Sequence, residues 1–222
     1  MSRRLVVDVY FDFVCPWCLI GKRQLATALA QLRATDPDVN VLVRWHGVQL
    51  LPQVPPGGLP FDEFYLRRLG SAAAVRERQA MVLQAAAAAG AEVDFASIRV
   101  MPNTADAHRV FEAACATASP DQADALLERL FSAYFGGAAD LHDGAWLLAE
   151  AAACGVAGAA TSAMQQALLG ASHPYVPRSP PGVEATGGVP CFVIDGAHTV
   201  SGAQSPRILL SAMRQALATN PA

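Results

Sequence analysis

Cys15-Pro16-Trp17-Cys18 sets two thiols three positions apart, directly after the apolar run Leu5-Val6-Val7-Asp8-Val9-Tyr10-Phe11 and before the amphipathic run Ile20 to Leu32. If a helix begins at Pro16, Cys15 occupies its N-cap and Cys18 falls on its first turn. Proline suits the first helical position, where its missing N–H costs nothing. A helix N-terminus presents unpaired N–H donors and about half a positive charge. Both favour a thiolate, and such sites take a cysteine pKa from ~8.5 into a range of roughly 3.5–7.5. A thiolate of this kind attacks disulfides and leaves easily. A second thiol one turn along can resolve the mixed disulfide. Pro16 and Trp17 would tune the pair by setting thiolate stability, with Trp17 also offering an apolar platform to a partner.

The competing use of two such thiols is half of a zinc site, which needs two more ligands at compatible spacing. Cys115, Cys154 and Cys191 are isolated, and His46, His142, His173 and His198 have no partners at metal-ligand spacing. No metal is expected, and those histidines read as surface or structural. Five cysteines, an odd number and scattered apart from the one pair, argue against a disulfide framework. Cys115 and Cys154 lie in alanine-rich helical segments and read as small core residues. Gly136-Gly137 and Gly187-Gly188 read as turns rather than phosphate-cradling loops. With no nucleotide or flavin fingerprint, the two cysteines are themselves the expected redox centre, with no bound cofactor.

The chain has 222 residues, 53 % of them apolar, enough to bury a sizeable core. A net charge of −3 without a basic tract gives nucleic acid no electrostatic footprint. No run approaches about 18 strongly apolar residues, so a membrane span is not expected. Ser2-Arg3-Arg4-Leu5 has the look of a twin-arginine export signal. Asp8 and Asp12, however, break the apolar region such a signal needs, and cleavage downstream would remove or unseat Cys15 and Cys18. The expected location is the cytoplasm, a reducing compartment.

The elements that must position the thiols are legible in outline. Residues 5–11 read as a buried strand, 16–34 as a helix with Ala26, Leu29, Ala30 and Leu32 on its apolar face, and 40–48, rich in valine, as a second buried strand. Gln53 to Pro60 is rich in proline and glycine and reads as a linker. From Phe61 to about Gly170 only helical periods appear. They give helices over 61–69, 71–89 (stopped by Gly90), 104–117 (capped by Asn103) and 120–135, then one opened by Asp143 and one over 158–169. Ser119-Pro120-Asp121-Gln122 has the pattern of a capping box. A proline-rich stretch with Pro174, Pro177, Pro180 and Pro181 reads as an irregular loop. Cys191–Ile194 is a strand, Asp195-Gly196 a tight turn, Ala197–Ser201 the returning strand and Ser205-Pro206 the start of a last helix. The order is βαβ, helical insert, ββα, in two parts: an α/β domain of 1–60 plus 173–222 and a helical insert of 61–172.

That order, with four segments, resembles the DsbA-like branch of the thioredoxin superfamily, and within it the FrnE-type thiol–disulfide oxidoreductases. The segments are Phe11-Asp12-Phe13-Val14-Cys15-Pro16-Trp17-Cys18-Leu19-Ile20-Gly21-Lys22, Asn103-Thr104-Ala105-Asp106-Ala107-His108-Arg109, Gly188-Val189-Pro190 and Val200-Ser201-Gly202-Ala203-Gln204. The resemblance implies a thioredoxin-like α/β fold with an all-helical insert. It implies that Cys15 is the nucleophile and Cys18 the resolving thiol. It also implies that Pro190 follows a cis bond and lies against the thiols, and that Val189 offers its backbone to an extended substrate. Proline tolerates the cis form at a cost of about 0.5–1 kcal/mol, against roughly 2.5–4 elsewhere. The implied partners are protein or peptide disulfides and small thiols such as glutathione. The run of prolines before Pro190, and a cysteine directly after it, depart from the family pattern.

Several readings stay open. Asn103 and His108 could line the cleft above Cys15, or could simply cap a helix and sit on it as a satisfied polar residue. Asp12 fits a turn residue or a proton carrier. Cys191 fits a buried inert thiol, or a third redox sulfur able to bond Cys15. Related glutathione-dependent enzymes of the same fold, the kappa-class transferases and hydroxychromene-carboxylate isomerases, carry serine at the first position of the motif. Cysteine at both ends here argues against that activity. A redox-inert accessory protein is a third reading.

Overall fold

The structure is a computed structural model and describes residues 3–137, 139, 141–169, 175–176 and 188–219. Pro174, Pro177, Pro180 and Pro181, together with His173, lie outside them. The elements run β1 (Arg3–Phe11), α1 (Pro16–Thr35), β2 (Val39–Gly47), β3 (Leu59–Pro60), α2 (Phe61–Leu69), α3 (Ala72–Ala88), β4 (Val100–Met101), α4 (Ala105–Thr117), α5 (Pro120–Phe135), α6 (Gly144–Ala153), α7 (Ala159–Leu169), β5 (Cys191–Ile194), β6 (His198–Ser201) and α8 (Pro206–Thr219). They form two compact units, one of 1–48, 88–91 and 178–222, the other of 49–87 and 92–177.

The first unit is built on a four-stranded sheet of order β2-β1-β5-β6, with β1 and β2 parallel and the remaining pairs antiparallel. Strand periodicity sends alternate side chains of β1 to opposite faces. Leu5, Val7 and Val9 are buried with Leu25, Leu29 and Leu32 of α1, Phe192 and Ile194 of β5, and Leu209, Met213 and Leu217 of α8. Asp8 and Tyr10 point to the opposite face. The valine-rich β2 is half-exposed rather than buried, because the sheet order makes it an edge and only one of its faces meets the core. Asp195 (φ 49°) and Gly196 (φ 68°) both take the left-handed conformation that a tight turn between β5 and β6 demands.

Among its described residues the second unit has, besides helices, only the two-residue strand pair β3–β4, which is too short to leave a period in the sequence. Leu126, Leu127, Leu130 and Phe131 of α5, Val110 and Phe111 of α4, Leu147 of α6 and Met164 of α7 are buried. The Ser119–Gln122 capping box opens α5, and Asp143 accepts from the backbone N–H groups of Ala145 and Trp146 to open α6. Cys115 is exposed on α4 and Cys154 half-buried at the end of α6, so neither is a core residue. Alanine-rich faces carry too little hydrophobic contrast to show which side is inward. Among the described residues no helix is long and apolar enough to cross a membrane.

Candidate active site

The Asp12–Val14 turn closes with the Cys15 N–H donating to the Asp12 carbonyl at 3.1 Å, and α1 starts at Pro16 with Cys15 in an extended N-cap conformation. The Cys18 N–H donates to the Cys15 carbonyl at 2.9 Å. Cys15 is 8 % exposed and Cys18 1 %. All five cysteines are free thiols. The two central residues of the motif, Pro16 and Trp17, are half-buried.

The Val189–Pro190 peptide bond is cis, and the Cys15 Sγ lies 3.7 Å from the Val189 carbonyl oxygen, its thiol donating. Pro190 meets α1 at Gly21, a residue the sequence reading left without a role. A methyl group there would stand 3.0 Å from Pro190 Cγ and 3.1 Å from Phe192 Cζ, so glycine lets the helix close onto the proline and the strand behind it. Lys22, the only lysine of the chain, is buried one turn beyond Cys18.

Burial pushes the Cys18 thiol well above its ordinary range, the neighbouring Cys15 sulfur pushes it further, and the Asp12 backbone N–H only partly offsets this. The Asp12 carboxylate, itself fully buried, adds to the upward push. Asp12 therefore serves the turn through its backbone and acts on Cys18 through its charge. The two thiols are unlike: Cys18 is held protonated, while Cys15, at the N-cap position of α1, turns its sulfur to the Val189 carbonyl.

Asn103 and His108 belong to the helical unit. Asn103 Oδ1 accepts from the Ala105 N–H (3.0 Å) and from Gln49 Nε2 (2.7 Å), while its Nδ2 donates to the Val54 carbonyl (2.6 Å). The N-cap position of α4 is Thr104 rather than Asn103, and Asn103, one residue before it, satisfies the first helical N–H and ties the 49–54 segment to the start of α4. His108 is buried on α4 and stacks on Tyr175 with ring centroids 5.0 Å apart. Cys191 does not turn toward the thiol pair. Phe192 faces α1, so the flanking Cys191 and Val193 point to the other face of the sheet, where they pack with Tyr10. Burial raises the Cys191 thiol, and a hydrogen bond with Ser201 offsets part of that. Among the described residues no group of three or more histidine, cysteine or acidic side chains could hold a metal.

A CxxC pair at a helix start, a cis-proline loop against it and a sheet with α1 and α8 on one face define the thioredoxin fold class with a helical insertion. The chain belongs to the DSBA-like thioredoxin domain family, whose model matches residues 6–214. No curated protein sequence matches it. It is similar in structure to a protein described as a "probable DsbA oxidoreductase" from Streptomyces coelicolor (TM-score 0.75, 23 % identity, covering 98 % of this chain and 92 % of the other). It is also similar to the cytosolic disulfide reductase DsbM from Pseudomonas aeruginosa (TM-score 0.61, 16 % identity, 97 % and 100 % covered). A third likeness is to a 2-hydroxychromene-2-carboxylate isomerase (TM-score 0.54, 16 % identity, 96 % and 97 % covered). At these identities the likeness is one of fold.

Proposed function

We propose that this protein exchanges disulfides through Cys15 and Cys18. The observation that carries the reading is the pairing of unlike thiols: Cys15 at the N-cap of α1 beside the Val189 carbonyl, and Cys18 buried and held protonated below it. In the reducing direction the Cys15 thiolate attacks a substrate disulfide. A bond forms between Cys15 and one substrate sulfur, the substrate S–S bond breaks, and the second substrate sulfur leaves as a thiolate that takes up a proton. Cys18 gives up its proton and attacks the Cys15 sulfur. The Cys15–Cys18 disulfide forms, and the first substrate sulfur leaves as a thiol. The substrate gains two electrons and the dithiol loses them. Two equivalents of a small thiol such as glutathione, or a protein dithiol, restore the pair without a bound cofactor or metal. Run backward, the same steps oxidise a substrate dithiol.

Val189 would align an extended substrate through its backbone, Pro190 would keep that loop against the thiols without competing for the sulfur, and Pro16 and Trp17 would set thiolate stability and partner contact. A binding part for Asn103 and His108 is checked by Asn103→Ala and His108→Ala, which should raise KM and leave kcat nearly unchanged. Glutathione as co-substrate is supported by the Pseudomonas aeruginosa reductase, also solved with glutathione, and that protein's cytosolic description supports cytoplasmic work for this one. The test is reduction of a protein disulfide such as insulin, and of glutathione mixed disulfides, by the wild-type protein and by Cys15→Ser. Activity that survives in Cys15→Ser refutes the reading. Isomerisation of a chromene carboxylate in the presence of glutathione, absent any disulfide turnover, would favour the isomerase alternative.

A further inference from the structure

The carbonyl that faces Cys15 depends on where Val189 sits, and Val189 packs on the sheet face turned away from α1. Strand register puts His46, Tyr10 and Cys191 in one row across that face and Arg44, Asp8 and Val193 in the next. The Asp8 carboxylate accepts two hydrogen bonds from Arg44, at 2.7 Å and 2.6 Å, and lies 2.6 Å from His46 Nε2. The imidazole lies over the Tyr10 ring, with centroids 5.0 Å and planes 25° apart. Tyr10 is fully buried, yet its hydroxyl has no hydrogen-bond partner among the described residues. A buried hydroxyl left unpaired costs stability, so the ring rather than the hydroxyl is what this position uses. Tyr10, Cys191 and Val193 form a small core of their own, and Val189 and Val48 pack on it. The Val48 N–H donates to the Phe11 carbonyl at 2.7 Å, just before the turn that carries Cys15. One cluster thus holds both the Val189 loop and the strand end that delivers the thiols.

We propose that Tyr10 is a positioning residue for the thiol chemistry: the Arg44–Asp8–His46 network clamps its ring, the ring seats Val189, and Val189 presents its carbonyl to the Cys15 sulfur. This rests on Cys15 being the attacking sulfur. The groups facing the ring are Asp8 from β1, Arg44 and His46 from β2, and the Cys191 thiol from β5. Displacing the Val189 carbonyl should slow attack on a peptide disulfide, which needs the aligned loop, while alkylation of Cys15 by a small reagent, which does not need it, keeps its rate.

The experiment measures both quantities on the full chain in wild type, Tyr10→Ala, Tyr10→Phe and His46→Gln. Tyr10→Ala is expected to slow mixed-disulfide formation about tenfold, less than the hundredfold a 1 Å misplacement can cost, and to leave small-reagent alkylation of Cys15 unchanged. Tyr10→Phe, which keeps the ring, should restore the wild-type rate of mixed-disulfide formation. His46→Gln removes the stacked ring without emptying the Tyr10 position and should slow mixed-disulfide formation by less. It decides the question if Tyr10→Ala does not fold. Combining Tyr10→Ala with Val189→Ala should give less than additive effects. A wild-type rate of mixed-disulfide formation in a folded Tyr10→Ala or in His46→Gln, an equal loss of small-reagent alkylation, or strict additivity with Val189→Ala overturns the proposal. A wild-type Cys15 that fails to alkylate overturns the functional reading itself, before any variant is compared.

Discussion

Cys15 and Cys18 differ in surroundings more than in chemistry. Cys15 sits at the N-cap position of α1 with its thiol donating to the Val189 carbonyl; Cys18 is enclosed, and burial holds it protonated. Two outcomes follow at this scale. Cys18→Ala should leave the first attack intact and trap the mixed disulfide on Cys15, visible as a covalent adduct by mass spectrometry; rapid release of product would contradict the assigned order. In Cys15→Ser, the remaining Cys18 should alkylate slowly at neutral pH. Its rate should climb only above the ordinary thiol range near ~8.5, because a raised thiol keeps its proton to higher pH. Fast labelling at pH 7 would contradict the burial argument.

Among the elements, α1 matters most, because its N-cap and first turn carry the thiols and Gly21 on its second turn meets Pro190 and Phe192. Gly21→Ala sets two effects against each other. Alanine gains about 1 kcal/mol in helix propensity, while overpacking against a rigid proline ring and a buried phenylalanine costs about 1–3 kcal/mol. The contacts at 3.0 and 3.1 Å involve groups with little room to yield, so the net should be destabilising. A lowered Tm together with slowed disulfide exchange is the expected result; a stabilised, fully active variant would show that Pro190 is free to shift. The capping box of α5 offers a contrast remote from the thiols in sequence. Ser119→Ala should lose about 1 kcal/mol of stability by denaturant titration and leave Cys15 alkylation as it was.

At the scale of the whole molecule, the parallel pairing of β1 and β2 is pinned on its far face by Asp8. Burial alone would raise the Asp8 carboxyl, but hydrogen bonds from Arg44 and His46 outweigh it and hold the group below its usual value. A depressed carboxyl contributes stability that is present above the unfolded pKa near ~3.9 and lost as pH falls through the folded value. Asp8→Asn should cost about 2 kcal/mol at pH 7. The gap to wild type should narrow below about pH 4 as the native carboxyl takes its proton. A constant gap from pH 7 to pH 3 in urea titrations would rule this out.

Much of the architecture was legible because its signals are local. The helix start at Pro16, the Ser119–Gln122 box, the Asp143 cap and the Asp195-Gly196 turn each lie within a few residues, where side-chain and backbone chemistry act directly. Segment order and motif resemblance were enough for the thioredoxin-like fold and its helical insert. Less legible were the edge position of β2, the two-residue strands β3 and β4, and the exposure of Cys115, since each depends on which neighbours a segment acquires. His46 reads as an isolated histidine in the chain; only strand register brings it against Asp8 and Tyr10.

By itself the sequence determined which atoms can react: two thiols one helical turn apart at the mouth of a helix, an arrangement set by bonds and turns close along the chain. Only the tertiary structure decided how those thiols differ and what faces them. Val189 is 174 residues from Cys15, and Cys191 turns away from α1 while Phe192 turns toward it. Contacts of that kind come from sheet pairing and packing, which bring together residues whose distance along the chain says nothing of their distance in space.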